Sequence, residues 1–349
     1  MLSTLNSDLA TRWGRLRGER PALRIRDAAA MLGVSEAELV ALGVGTTVAP
    51  LDGDWTSILT AMPSVGRIMC LTRNEDCVHE RRGRFEDVQA AGLHGLVLGP
   101  DIDLRLFLDQ WKLGFAVREP VKAGERLSLQ FFDASGETVH KIYATEETDH
   151  PAFDALIARH RAVEPTVLNF VPPPADAVDR PDSEIDVAGL RTAWQAMKDT
   201  HEFFGMLRRF KVGRVQALRL VGHDYARELP VRTLRGAMAA AVETKTPIMI
   251  FVGNRGCIQI HTGPIERLLE THGWFNVLDP TFNLHLREAA VRRIFSVRKP
   301  TSDGMVTSIE AFDVRNRNIL LMFGARKPGA PELETWRAIV AQLEKQAAS

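Results

Sequence analysis

The sequence of 349 residues carries no net charge, with 44 Lys and Arg set against 44 Asp and Glu. No global field then draws the chain to nucleic acid or to an anionic membrane, so any basic site must be local. No apolar run approaches the ~20 residues of a membrane-spanning helix. The opening residues MLSTLNSDLATRWGRLRGER also lack the apolar stretch that directs secretion. The expectation is a soluble cytoplasmic protein, not embedded in a membrane. Cysteine is scarce. Cys70, Cys77 and Cys257 form no CxxC or CxxCH pair, which disfavours a disulfide framework, a zinc ribbon or a c-type covalent cofactor. Reduced, partly buried thiols are expected instead. HExxH is absent, as is the Rossmann glycine fingerprint, which argues against a zinc protease and against a tightly held nicotinamide. What remains, at 45% hydrophobic and 25% charged, is the composition of an ordinary globular protein with sizeable cores.

The sequence occurs in the chain twice. Residues 66 to 145 lie over residues 246 to 325 without a gap, an offset of 180, matching Ile68 with Ile248, Asn74 with Asn254, Cys77 with Cys257, Phe115 with Phe295 and Asp133 with Asp313. A repeat this long is a duplicated domain, because solenoid units recur every ~20–50 residues. Three successive prolines in FVPPPADAVDRPDS, from Phe170 to Ser183, exclude helix and separate the copies. The division expected is an N-terminal repeat over 1–169, a proline-rich linker over 170–186 and a C-terminal repeat over 187–349. Short β-rich runs recur within each copy, such as Leu127 to Phe132 and Val306 to Phe312, with turn residues such as Asp133 to Gly136 between them. Helical segments precede each set and follow the second, the last over Pro331 to Ala348. The fold class is therefore α+β, a tandem duplication in which each repeat is a large antiparallel sheet with flanking helices.

Two helical segments bear on function. Ile25 to Leu39 reads as a helix-turn-helix, with Gly33 at the turn and Ser35 as the cap of its second helix. A DNA-binding regulator is one reading of it. A recognition helix needs Arg, Lys, Asn or Gln near its start, however, and this one offers Glu36 and Glu38, so no nucleic-acid partner is expected. Leu190 to Phe210 reads as one helix, with Leu190, Trp194, Met197, His201 and Phe204 at helical spacing on one face. His201 in that stripe is either a buried neutral imidazole or a ligand of a metal or haem iron.

The duplication weighs on this choice, since functional asymmetry belongs where the copies differ. Lys299 stands where the first copy has Glu119, and Arg326 where it has Glu146, which points to an anionic ligand in the second copy. Arg214, downstream of His201, could join them, and Arg105 of the first copy is matched by His285. Each of these bases has the plainer reading of a solvated surface residue. A haem, with an iron needing one axial donor and two propionates needing cations, suits the combination.

The chain resembles the HemS/HmuS/ChuS family of cytoplasmic haem-utilisation proteins, or hemin-degrading factors, over nearly its whole length. The resemblance rests on Thr72 to Glu75 (TRNE) with Val78 to Glu80 (VHE), Asp103 to Phe107 (DLRLF), Trp194 to Phe204 with its THEFF core, Phe251 to Gly263 (FVGNRGCIQIHTG), Gly273 to Asp279 (GWFNVLD), Asn283 to Arg287 (NLHLR) and Arg298 to Pro300 (RKP). It implies a single haem held mainly by the C-terminal half. His201 matches the family's proximal iron ligand, Arg105 its arginine on the opposite haem face, and Arg214, Lys299 and Arg326 the positions that hold the propionates. Leu321 and Phe323 stand where the family often has Gln and Tyr, so Phe323 would meet the haem without a polar contact.

Two functions from different classes follow from the resemblance. As a binding and trafficking protein of haem-iron uptake, the chain would take haem from the cytoplasmic side of an importer and pass it to a cytoplasmic haem oxygenase. As an enzyme, it would open the porphyrin itself with an external reductant, and Arg105 would serve as a charge-stabilising group or simply as a cap. The first reading is preferred. His79, in the first copy, is either a ligand for a second haem or a structural residue.

Overall fold

The structure, a computed structural model, describes residues 2–121, 124–163, 169–327 and 329–348. The chain divides into two compact units. The first comprises Met1–Arg73, Glu80–Pro174 and Asn254–Gln259, and the second Asn74–His79, Ala175–Gly253 and Ile260–Ser349. Each unit thus contains a six-residue segment from the other half of the sequence, and the two segments are themselves 180 positions apart.

In the first unit, strands run side by side in the order Val48–Pro50, Leu113–Val121, Gly124–Phe132, Thr138–Thr148 and Gly66–Arg73, every neighbouring pair antiparallel. A three-strand meander, Val88–Ala91, His94–Leu98 and Asp103–Phe107, also lies in this unit. The second unit repeats the pattern with Ala226–Leu229, Arg293–Thr301, Gly304–Phe312, Asn318–Gly324 and Ile248–Gly253. Its meander is Leu268–Thr271, Trp274–Leu278 and Phe282–Leu286. Alternation of apolar residues builds these strands, and the duplicated register extends to their irregularities. The pairing slips between Phe131 and Phe132 in one copy and between Ala311 and Phe312 in the other. The turn after each slip is closed alike. Asp133 accepts from the N–H groups of Ser135 and Glu137, and Asp313 from those of Arg315 and Arg317.

The second unit's sheet is packed on both faces. Ile248, Ile250, Ile294, Ile309, Leu320 and Met322 meet Leu234, Met238, Trp336 and Ile339 of helices Thr233–Glu243 and Glu334–Ala348. On the other face Phe295, Val297 and Phe312 meet Trp194, Phe203, Met206 and Val215 of helices Val187–Gln195, Glu202–Phe210 and Arg214–Leu220.

Two expectations are corrected. The segment from Leu190 to Phe210 is not one helix: it stops at Gln195 and restarts at Glu202. Asp199 causes part of the break, because its carboxylate accepts from the His201 N–H and competes with the helical pattern. The loop is also tied by the Ser302 N–H, which donates to the Lys198 carbonyl. The helix-turn-helix itself forms as read from the sequence. Its helices, Ile25–Leu32 and Glu36–Ala41, form with Gly33 left-handed at φ 70° and Ser35 in a capping box with Glu38. Its carboxylates do not face outward as a recognition surface would. Glu38 is spent on the cap, while Glu36 is buried and accepts from Lys141 and Thr138. The three cysteines are wholly buried, not partly.

Candidate functional site

Loss of the continuous helix changes what His201 is. It occupies the cap position before Glu202, and its side chain is 89% exposed instead of lying in an apolar stripe. The ring is nevertheless fixed: Nδ1 lies 2.6 Å from Asp199 Oδ1, whose carboxylate also takes the His201 backbone N–H at 2.8 Å. A carboxylate can only accept, so the proton of that contact sits on Nδ1, and the neutral ring keeps its lone pair on Nε2. A carboxylate behind an imidazole in this way orients it as a metal ligand. Asp199 itself is held below the usual carboxyl range, first by the backbone N–H of His201, with the ring and Arg326 contributing.

Three of the bases singled out from sequence lie in this unit, each with a carboxylate partner. Lys299 is no solvated surface residue: it is 3% exposed, and its Nζ is 2.7 Å from Glu310 Oε1. Arg214, at the start of helix Arg214–Leu220, reaches Glu310 Oε2 from Nη2 at 2.8 Å and from Nε at 2.9 Å. Ser308 donates to Oε1 at 3.0 Å. Burial alone would raise the Glu310 carboxyl, but Arg214 and Lys299 together pull it far below the usual range. Lys299 moves downward too, because burial outweighs its share in a carboxylate it divides with Arg214. Arg326 Nη2 is 3.0 Å from Asp303 Oδ2, while its Nε is buried with no partner among the described residues. At the matching positions of the first copy, Glu119 pairs with Arg126 and Glu146 with Arg82.

Aromatic rings join these groups. The Phe203 ring has Lys299 Nζ 4.5 Å and the Arg214 guanidinium 5.0 Å from its centre. Phe204 lies 5.9 Å from Phe203 and, 55% exposed, offers a ring to solvent three positions after His201. The sheet supplies a floor. Phe323 is opposite Ser308 and Met249, and Leu321 is opposite Glu310 and Phe251, so all six side chains share one face. On that face Met249, Phe251, Leu321 and Phe323 are only half-buried, a run of apolar surface beside the buried ions. Phe251 and Phe323 meet edge to face at 5.1 Å. The two residues that depart from the family's polar pattern, Leu321 and Phe323, are therefore part of an apolar floor. Met249, Phe251, Glu310, Asp199 and Asp303 did not emerge from the sequence reading. Their signal was there in Glu310, a charged residue inside an otherwise apolar strand pattern.

The donor set fits a macrocyclic metal complex. Among the described residues no group of three or more His, Cys, Asp or Glu side chains could hold a metal ion by itself. A haem asks the protein for one axial nitrogen, apolar area for its ring and cations for its carboxylates, and the second unit provides each type. Arg105 lies in the first unit, part-buried and hydrogen-bonded to Asp103. Its counterpart His285 contacts Asn276 Oδ1 through Nδ1 at 2.7 Å. His79 is fully buried with its ring 4.9 Å from Phe282.

Comparison with known proteins gives concordant results. The model of the haemin-degrading HemS/ChuX domain matches residues 33–160 and again 211–343, once in each copy. The hemin transport protein HmuS of Yersinia pestis is 40% identical over 340 residues, covering 97% of this chain and 98% of its own. The crystal structure of holo-PhuS, a heme-binding protein from Pseudomonas aeruginosa, superposes with a TM-score of 0.93 at 48% identity, covering 96% of this chain and 97% of that one. ChuS, an E. coli heme oxygenase, superposes with a TM-score of 0.87 at 39% identity, covering 95% and 98%. No helix among the described residues is long and apolar enough to cross a membrane.

Proposed function

Since the chain belongs to the family of the haemin-degrading HemS/ChuX domain, we propose that it binds haem, keeps it in solution and passes it on during haem-iron uptake. The observation that carries this reading is His201, exposed, with Nδ1 engaged by Asp199 and Nε2 left to bind a metal. The names of its relatives support it, a hemin transport protein and a heme-binding protein among them. In this reading His201 is the axial ligand of the iron, and Asp199 fixes which nitrogen it offers. Met249, Phe251, Leu321 and Phe323 take the apolar ring, with Phe204 as an exposed aromatic nearby. Lys299, Arg214 and Arg326 attract the propionates. Bound haem supplies a redox-active iron, and the chain supplies orientation and charge around it.

Arg105 comes to this function through the family resemblance, as the arginine of the opposite haem face. Ring opening by the chain itself is a second reading, favoured by the E. coli relative described as a heme oxygenase. Its electrons would come from an external reductant. Delivery to a separate haem oxygenase, or receipt from an importer, belongs to the trafficking reading, as does a cytoplasmic location.

The test is a hemin titration of the full chain and of His201→Ala, followed by optical absorption. One equivalent bound by the parent and an abolished or grossly shifted Soret band in the variant are expected. Saturation at two equivalents, or an unaltered spectrum in the variant, overturns the single-site reading with His201 as ligand. Anaerobic loading followed by oxygen and a reductant, with and without catalase, separates the two functions. A tetrapyrrole product that persists with catalase assigns turnover to the chain.

A further inference from the structure

The cations of this site are not idle. Lys299 and Arg214 converge on one buried carboxylate, Glu310, which takes four donor contacts from Lys299 Nζ, Arg214 Nη2, Arg214 Nε and Ser308 Oγ, all between 2.7 and 3.0 Å. We propose that Glu310 is a built-in counter-anion that competes with a ligand's carboxylate for Lys299 and Arg214, and so limits how tightly the site holds an anionic ligand. This rests on the haem reading of the site and adds to it the residue that sets affinity.

The charge count supports competition. Two cations facing one carboxylate leave a single positive charge, so an incoming propionate meets about half the attraction that the two bases alone would offer. The donors are also spoken for. A new carboxylate can bind Lys299 or Arg214 only by sharing them with Glu310 or by displacing it, at the cost of a charge-assisted contact already made. For a protein that must release its cargo, this moderates the grip.

The duplication supplies the comparison. In the first copy Glu310 is replaced by Gln130, and Lys299 by Glu119. Gln130 is 1% exposed and donates to Ser128, the residue that matches Ser308, at 3.1 Å. At this matched position the carboxylate is thus found in the copy that has Lys299 and is absent from the copy that has Glu119 in its place, whose own buried lysine, Lys141, pairs with Glu36 of another element. The same fold also accepts glutamine at that position. Neutralising Lys299 is a structural duty that Glu310 discharges in any case. Competition with ligand is a separate property, and it makes the opposite prediction for affinity.

The experiment compares hemin with hemin dimethyl ester, which lacks the two carboxylates, on the full chain and on Glu310→Gln. Equilibrium binding and the rate of loss to an excess of haem scavenger are both measured. With the counter-anion gone, Arg214 stays charged whatever becomes of Lys299. Hemin should then bind at least about tenfold more tightly and leave correspondingly more slowly, with the ester unchanged. Hemin binding that is unaltered or weaker in a folded Glu310→Gln protein overturns the inference. If Glu310→Gln binds hemin and its ester equally, competition for carboxylates is excluded while haem binding stands. If the parent binds neither, the functional reading falls as well. Should circular dichroism find Glu310→Gln unfolded, Glu310→Asp, which keeps the charge but shortens its reach, is expected to tighten hemin by a smaller factor, and no tightening there refutes the inference. Lys299→Glu would be a poorer probe, since it sets a second carboxylate against Glu310 and measures folding.

Discussion

Asn74 and Asn254, 180 positions apart, make the same four hydrogen bonds. Asn74 Nδ2 donates to the carbonyls of Gly253 and Ile319, and its Oδ1 accepts from the N–H groups of Asp76 and Cys77. Asn254 Nδ2 donates to Arg73 and Val139, and its Oδ1 accepts from Gly256 and Cys257. Every partner in one set is 180 residues from its counterpart in the other. The amide's two donors and its acceptor oxygen are fully used.

Replacing either asparagine by alanine strands several backbone groups in part-buried surroundings. Asn74→Ala and Asn254→Ala should each lower the free energy of unfolding by at least ~2 kcal/mol, since each abandoned buried group costs about 1–3 kcal/mol. Urea titration reads this directly. A loss near zero would mean that water replaces the amide at no cost.

Asp199 should matter to haem without touching it. Asp199→Asn keeps an acceptor for His201 Nδ1 but removes its charge, and the loss of such an outer partner typically weakens a metal site by ~10–100-fold. The Soret band should persist with reduced affinity, and the reduction potential of bound haem should move to more positive values. A variant with the parent's potential and affinity would reduce Asp199 to a loop-forming residue.

Arg105→Ala is expected to keep haem bound while altering its spin state or its reaction with peroxide, as the family's arginine of the opposite haem face would. Optical and electron paramagnetic resonance spectra of the loaded variant check this. Failure to bind haem would instead make Arg105 and its bond to Asp103 part of the scaffold.

Met249→Glu probes the apolar floor. The side chain is half-buried, so stability should change little, while a carboxylate beneath an apolar ring should lower hemin affinity at least about tenfold. Unchanged affinity in fluorescence-quenching titrations would move the ligand off this face.

Acid stability should depend on His140, which is fully buried with Nδ1 2.8 Å from Thr72 Oγ1. Burial lowers its folded pKa to about 3 from an ordinary value of 6.5. A depressed histidine leaves stability intact above about 6.5. As pH falls from there towards about 3, the unfolded chain takes up a proton that the folded one refuses. Stability then declines by up to ~1.4 kcal/mol per pH unit from this group. His140→Gln removes the titration, so the gap between parent and variant in urea midpoint should narrow from about pH 7.5 to about pH 4.5. Parallel curves would clear His140 of this role.

Much of the fold was legible because duplication repeats its own evidence. Leu127 to Phe132 and Val306 to Phe312 alternate in the same register, and both fall within paired strands. The site was legible by residue type but not by setting. His201 was placed on an apolar face because helical spacing runs unbroken through the sequence, whereas the competition of Asp199 for backbone N–H groups ends that helix in space. Lys299 looked like a free cation because its partner lies eleven residues away on the neighbouring strand, where strand pairing and not sequence proximity brings Glu310 to it.

The six residues that each unit draws from the distant half of the sequence bear on how the protein can be made. A gene cut in the proline-rich stretch would yield two polypeptides, each encoding a hexapeptide that it cannot use and lacking the one that it needs. Asn254 and Cys257 would be translated away from the unit they complete, and Asn74 and Cys77 likewise. Halves produced alone would expose raw ends where those peptides belong, inviting aggregation or pairing with a second copy. Co-expression of both fragments, or circular permutation of the intact gene, respects the way the chain is interleaved.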